Sequence, residues 1–386
     1  MSRPPFPAGW SSIPLNPRNL TLANTLPVGQ SFLWRRHALQ HKPEPGHDQP
    51  LEEFSRAIDD PPRVVCLRQS PHHLHFTAIH PNEASAELDQ GNELTRKWLF
   101  DYFQLDTQPD LEKLYGQWRQ RDPGLFGKVE VNERAVGVRV LRQDPWECLI
   151  AFITSTNNHI PRITSLLNRV SEAFSPPIIT LEEHTYHLFP EPNSWPDKDL
   201  DPLLRGIGFG YRAPFIESTL QSLKNEFSTT PGAIQSGLLG WRDVDVGTVR
   251  EKLIGLKGVG RKVADCVMLM SMDKPSLIPI DTHLAAIAAR HPSFPARLRN
   301  KTMSKQIYDE TQQFLLDRWG SMGGWCQAVM FAADLPAVKP KVVTKVVTAS
   351  IKRVIHDDEK PPPLKRTRSA TRRQTTGLTV RLKEEV

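Results

Sequence analysis

Cysteine is scarce in this chain, and none is spaced to hold a metal. Cys66, Cys148, Cys266 and Cys326 lie far apart, with no Cys-x-x-Cys and no Cys/His pairing of ligand type. Such thiols are expected to be the reduced side chains of an intracellular protein rather than a disulfide framework. Long apolar runs are missing too. None approaches the roughly 18 residues that a bilayer crossing needs, so no membrane partner is expected. The segment from Met1 to Trp10 is proline-rich and has no apolar h-region, which argues against secretion. The last shortage is of positive charge. The net charge is +6, but from Pro336 onward 13 Lys and Arg face 5 Asp and Glu, a net of +8. The preceding residues carry 36 against 38, a net of −2. Any affinity of that larger part for a polyanion has to come from a local patch and oriented backbone groups.

The length allows two or three domains. Residues 14–135 read as α+β. Strands are expected at Leu20-Thr21-Leu22, Ser31 to Trp34, Val64 to Leu67 and His73 to Thr77, with a turn at Gln69-Ser70-Pro71. Helices are expected at 91–102 and 111–121, and an exposed loop at 40–51 whose His41 and His47 are solvated. Residues 136–335 read as mainly helical, with helices at 145–155, 160–174, 213–227 and 301–319 and another beginning near Gly324. Residues 336–386 have little apolar periodicity and are expected to be a disordered basic tail. Within it, Pro361 to Arg368 with Arg372-Arg373 fits a nuclear localisation patch, or simply a solvated tail.

The most informative stretch is Leu253 to Cys266. A helix stopped at Gly255 leads into the hairpin Leu256-Lys257-Gly258-Val259-Gly260, and a second helix runs from about Arg261 to Met272. Gly258 and Gly260 can both take positive φ and admit another backbone closely. Hairpin N–H groups backed by a helix N-terminus suit a phosphate. Lys262 falls in the first helical turn and Cys266 one turn later on the same face. A cation at that end of a helix is slightly unfavourable, which favours the neutral amine that a nucleophilic lysine needs. Asp281, ahead of an expected helix from Thr282 to Arg290, is a natural N-cap. It is also a carboxylate suited to chemistry that develops positive charge. Asn157-Asn158 reads as a capped turn between helices, and Gly206 to Arg212 as a helix-ending loop with a packed tyrosine. Gln327 and Phe331, at i and i+4, share a helix face.

These residues together resemble a known family. The pattern Gly258-Val259-Gly260-x-Lys262-Val263-Ala264-Asp265-Cys266 is followed by Asp273-Lys274-Pro275, Pro279-x-Asp281-x-His283 and Gly324-Trp325-x-Gln327-Ala328-Val329-x-Phe331. With Gly29-Gln30-Ser31-Phe32-x-Trp34, Asn157-Asn158 and Arg162, they are similar to the eukaryotic 8-oxoguanine DNA glycosylase/AP lyases, in the helix-hairpin-helix superfamily of base-excision glycosylases. The match runs discontinuously over residues 14–335.

The resemblance implies an α+β fold, with an antiparallel twisted sheet and helices before a helical domain containing the hairpin. It implies excision of 8-oxoguanine paired with cytosine by base flipping, Schiff-base formation on Lys262 and β-elimination, with Asp281 as the catalytic carboxylate. Gly29, Cys266, Gln327 and Phe331 would recognise the base. Asn157, Asn158, Arg162, Tyr211, Arg212, Gly258, Val259, Gly260 and His283 would hold DNA. Asn157 would fill the gap left by the base, Arg162 and Arg212 would read the orphaned cytosine, and Tyr211 would be a wedge. His283 would hold a phosphate or be a structural histidine. His159 departs from the family, which often has a third Asn there, and Cys326 stands where a smaller residue is common.

Damaged duplex DNA is the implied partner of a monomer, with downstream repair proteins open as further partners. A nuclear location is expected, with a mitochondrial pool left open. No cofactor is required. The four-cysteine cluster of endonuclease III-like relatives is absent, so no iron–sulfur cluster is expected, while a structural cation at the hairpin carbonyls stays open. A monofunctional glycosylase for another base would need the hairpin and Asp281 but not Lys262. A non-catalytic DNA-binding module would need only the hairpin.

Overall fold

Alternating side chains build the sheet and decide what covers each of its faces. In the computed structural model, which describes residues 1–39, 50–106, 110–129, 131 and 133–335, five strands run antiparallel. They are β1 (Ser11–Pro14), β2 (Arg35–Ala38), β3 (Glu52–Ile58), β4 (Arg63–Gln69) and β5 (His73–Ile79), in the order β1-β5-β4-β3-β2. The expected turn closes β4 to β5, with Gln69 opposite Leu74 and Ser70 N–H donating to His73 O at 3.0 Å. Phe54, Val65, Leu67, Leu74 and Phe76 point to one face, and Ala57, Val64, Cys66 and Ile79 to the other. The first face is covered by Leu99, Tyr102 and Phe103 from the end of a helix. The second is covered by Ile179, Leu181 and Tyr186 of a separate hairpin, β6 (Pro177–Leu181) with β7 (His184–His187). A sheet covered on both faces needs apolar residues at successive positions, which blurs the period-two signal.

Two expected strands are not strands. Leu20-Thr21-Leu22 leads into a short helix, α1 (Leu22–Thr25), because Thr21 N–H bonds to Gly137 O at 2.8 Å rather than to a strand neighbour. Residues Ser31 to Trp34 lie outside the ladder, which begins one residue later at Arg35. There Trp34 Nε1 donates to the Tyr102 hydroxyl at 3.0 Å.

The remaining helices are α2 (Glu83–Asp89), α3 (Glu93–Tyr102), α4 (Leu111–Arg121), α5 (Pro145–Ser155), α6 (Ile160–Phe174), α7 (Leu200–Ile207) and α8 (Ala213–Phe227). They continue with α9 (Ala233–Gly240), α10 (Val246–Gly255), α11 (Arg261–Ser271), α12 (Thr282–Ala289), α13 (Lys305–Trp319) and α14 (Gly323–Asp334). Caps set several starts: Asp110 for α4, Asp144 for α5 and Asp281 for α12 each accept a backbone N–H of the first turn. The helix expected from 301 starts at Lys305, because Ser304 takes the cap by accepting Ile307 N–H at 3.3 Å. Core membership follows packing rather than chain order. Leu114, Tyr115 and Trp118 of α4 join the helical core, whereas Leu141 joins the core of the sheet. The expectations for 40–49 and for 336–386 lie outside the described residues.

One buried carboxylate holds the helices around the hairpin. Asp265, with no exposed surface, accepts from Arg250 Nε at 2.9 Å, the Tyr308 hydroxyl at 2.8 Å and Gln312 Nε2 at 2.7 Å. Gln312 also donates to Ile278 O at 2.9 Å, and Ile280 N–H donates to the Tyr308 hydroxyl at 3.1 Å. The network ties α10, α11 and α13 to the segment that enters Asp281. Asp265→Ala leaves buried donors unpaired and should destabilise the fold by about 3–5 kcal/mol, read as a lowered urea midpoint.

Candidate active site

The helix-hairpin-helix forms as the sequence suggests, with one difference. α10 ends at Gly255, Leu256 N–H returns to Leu253 O at 3.1 Å, and Val259 N–H closes the turn on Leu256 O at 3.2 Å. Gly258 has φ +85°, and a Cβ there would sit 2.7 Å from Phe215 Cβ of α8. Gly260 does not share that conformation. Its φ of −87° and ψ of 177° are extended, because it is the N-cap of α11 and its carbonyl accepts Ala264 N–H at 3.0 Å. Lys257 and Gly260 are exposed while Val259 is buried, so the hairpin is anchored on one side and open on the other. Thr219 Oγ1 bonds to Lys257 O at 3.0 Å and fastens it to α8.

α11 emerges from the core only at its first turn. From Val263 to Ser271 every residue is buried, and Lys262 is half-buried in the lining of a cavity. Lys262, Cys266 and Met270 line one wall, and Phe152 of α5, Val28-Gly29-Gln30, Pro279 and Asp281, and Gln327, Ala328 and Phe331 of α14 line the rest. The Lys262 Nζ stands 5.0 Å from the centre of the Phe152 ring. Asp281 Oδ1 caps α12 by accepting Leu284 N–H at 2.8 Å, which orients its carboxylate. Burial pushes the Cys266 thiol up to about 11, with Lys262 pulling the other way, so this wall presents a neutral thiol. Gly29 has φ +81°, and a Cβ there would meet Ile160 Cδ1 at 3.2 Å. Gln327 is 8% exposed and its Oε1 has no hydrogen-bond partner. A buried acceptor left in that state costs about 1–3 kcal/mol until a donor reaches it.

His283 lies outside this lining. Its ring packs edge-on against Phe331 with centroids 4.9 Å apart. Its Nε2 is 3.1 Å from Asp334 Oδ2 but too poorly aligned for a hydrogen bond. The same carboxylate takes Arg290 through both oxygens, at 2.5 and 2.8 Å, and that contact holds it below the usual range.

The other expected residues gather around the turn between α5 and α6. Asn157 is exposed with φ +47°. The expected loop at 206–212 is instead the end of α7 followed by a 3-10 turn at Gly210–Arg212, from which Arg212 reaches across, donating to Thr156 O and Asn157 O, each at 2.9 Å. The Tyr211 hydroxyl adds a bond to Thr156 O at 3.1 Å, although the residue is 46% exposed. Arg162 is exposed and donates to Gly208 O at 3.3 Å. Asn158 turns inward instead, bonding to Thr154 O at 3.0 Å. His159 is exposed at the start of α6, and Cys326 is fully buried with its thiol raised by desolvation. Sequence reasoning missed Val28, Phe152 and Met270 as cavity residues. Each sits in an apolar stretch with nothing to separate lining from core. Among the described residues no group of three or more His, Cys, Asp or Glu is placed to hold a metal ion.

The fold and site define a helix-hairpin-helix protein in which a half-buried lysine, a carboxylate and an amide side chain line one cavity. Residues 12–149 match the family described as 8-oxoguanine DNA glycosylase, N-terminal domain. The chain is 32% identical to the N-glycosylase/DNA lyase of Saccharomyces cerevisiae, over 88% of this chain and 89% of that one. It is 32% identical to the N-glycosylase/DNA lyase OGG1 of Arabidopsis thaliana, over 86% and 81%. Among solved structures it resembles the Clostridium acetobutylicum 8-oxoguanine glycosylase/lyase bound to duplex DNA with cytosine opposite 8-oxoguanine. The TM-score is 0.60 at 26% identity, over 81% of this chain and 91% of that one. The chain belongs to the 8-oxoguanine DNA glycosylase/lyase family.

Gly258 and Gly260 separate backbone need from surface need. Gly258→Ala should cost about 1–3 kcal/mol in chemical denaturation, from strain and the Phe215 clash. Gly260→Ala has open space around its Cβ and should stay within about 0.5 kcal/mol of the parent.

Proposed function

We infer that the protein is a bifunctional DNA glycosylase and AP lyase that removes 8-oxoguanine paired with cytosine from duplex DNA, in base-excision repair. The observation that carries this reading is the convergence of Lys262, Asp281 and the buried Gln327 on one cavity. The damaged nucleotide leaves the stack and enters that cavity. Guanine-type bases carry N–H donors on their Watson–Crick edge, which satisfy the free Oε1 of Gln327. Phe331 and the neutral Cys266 thiol give the base apolar, polarisable faces. The lesion differs from guanine at N7, an acceptor in guanine and an N–H in 8-oxoguanine. A Gly29 carbonyl facing N7 attracts the lesion and repels guanine. Such an acceptor clash is worth about 1–3 kcal/mol, roughly ten- to a few-hundredfold.

In the chemical step the unprotonated amine of Lys262 forms a bond to C1′ as the bond from C1′ to the base breaks. The electron pair departs with the base, which is then protonated. Asp281 stabilises the positive charge that develops on the sugar and helps to move the lysine proton. Opening of the sugar ring gives a Schiff base, and loss of a C2′ proton expels the 3′ phosphate. The turn at Asn157, with Tyr211, Arg162 and Arg212 around it, is the part that enters the duplex and faces the orphaned cytosine. The exposed side of the hairpin takes a backbone phosphate.

Borohydride trapping on a duplex with 8-oxoguanine opposite cytosine is the test. The parent should form a covalent adduct, and Lys262→Gln should form none. Excision without an adduct would point to a monofunctional enzyme, and binding with neither outcome to a non-catalytic module. Asp281→Asn keeps an N-cap acceptor, so its melting temperature should stay close to the parent while excision slows by about a hundredfold or more. We also assign the residues from Pro361 to Arg373 the role of a nuclear address. Removing 336–386 should leave excision intact and change cellular location.

A further inference from the structure

Gln30 follows Gly29 and is 3% exposed, yet its side chain does not reach into solvent or stand idle. Nε2 donates to Arg139 O at 2.9 Å and Oε1 accepts Leu141 N–H at 3.1 Å. One amide side chain thus serves the extended 139–141 segment as the peptide of a neighbouring strand would. The main-chain carbonyl of Gln30 accepts from the buried side chain of Gln143, Nε2 to O 3.0 Å. Gln143 N–H in turn donates to Met270 O at 2.8 Å. Met270 lies on α11 with Lys262 and lines the same cavity. The other end is fixed as well, because the Arg139 guanidinium binds Phe103 O at 2.6 Å, Asn19 O at 3.0 Å and Gln104 O at 2.6 Å. An unbroken run of buried hydrogen bonds therefore links the backbone beside Gly29 to the helix that bears the lysine.

We propose that Gln143 and Gln30 are positioning residues that set the Gly29 carbonyl against the base site and thereby set discrimination between 8-oxoguanine and guanine. This rests on the functional reading above. Discrimination by a single acceptor depends on its placement, since a hydrogen bond weakens steeply with distance and angle. Gln143 does not line the cavity. Losing its donor releases the Gln30 carbonyl while the reacting groups keep their own supports.

The test uses the full chain with Gln143→Met, which removes the donor at similar volume, and Gln143→Asn, which shortens its reach. Two quantities are read: the ratio of kcat/KM for 8-oxoguanine over guanine opposite cytosine, and borohydride trapping on a preformed abasic site, where no base has to be recognised. The ratio should fall about three- to tenfold, as the loss of one net hydrogen bond implies, with abasic-site trapping unchanged. An unaltered ratio in a folded variant overturns the proposal. So does a parallel loss of both activities, which marks a merely structural role. If the parent itself treats the two bases alike, the functional reading falls and the proposal with it.

Discussion

The arrangement depends on a charge with no route to water. Asp265 lies in the same helical turn as Lys262 and Cys266, and its oxygens draw in Arg250, Tyr308 and Gln312 from two other helices. A carboxylate buried without those donors would be costly enough to unfold the region. With them, it fixes α11 against α10 and α13 and places the lead-in to Asp281. The amine and the carboxylate belong to different helices, yet their frames share one anchor. The placement of Lys262 and Asp281 is therefore a property of a buried polar cluster beside them.

Within the cavity, satisfied and unsatisfied groups divide the work. Asp281 is oriented by its cap, and the carbonyl of Gln30, next to Gly29, is held by Gln143. Gln327 keeps an acceptor free. Rigid supports and one open valence are what a recognition site needs, because little has to reorganise when the guest arrives. The turn at Asn157 works differently. Its carbonyls are occupied by Arg212 and Tyr211, so the DNA contact proposed for it has to compete with bonds that the protein already makes to itself.

Much of this was legible beforehand, for identifiable reasons. α4, α5, α6 and α8 start and stop where capping residues, Pro and helical periodicity say they should. The hairpin and Lys262 stood out because Gly, Lys and Cys recur at spacings that only a turn and a helix face explain. β3 was missed because its Glu52-Glu53-Phe54-Ser55-Arg56 looks like a solvated stretch. In the fold Glu53 pairs with Arg3 and Arg68, and Arg56 with Glu147 at 2.7 Å, so the charges are interior. Distant partners of that kind leave no local trace. Gln30 was seen as part of a motif, but its bonds to Arg139 and Leu141 span more than a hundred positions, and no spacing rule connects them. Gly260 looked like a second left-handed glycine and is instead a cap, because the period of a glycine pair does not report φ.

The cysteines also bear on how such a protein endures. All four are buried and unpaired, and desolvation raises each thiol. Peroxide attacks the thiolate and not the thiol. At neutral pH these sulfurs are protonated and shielded, including Cys266 in the cavity lining. A catalyst that works on the products of oxidative stress thus carries its own most oxidisable atoms in their least reactive form.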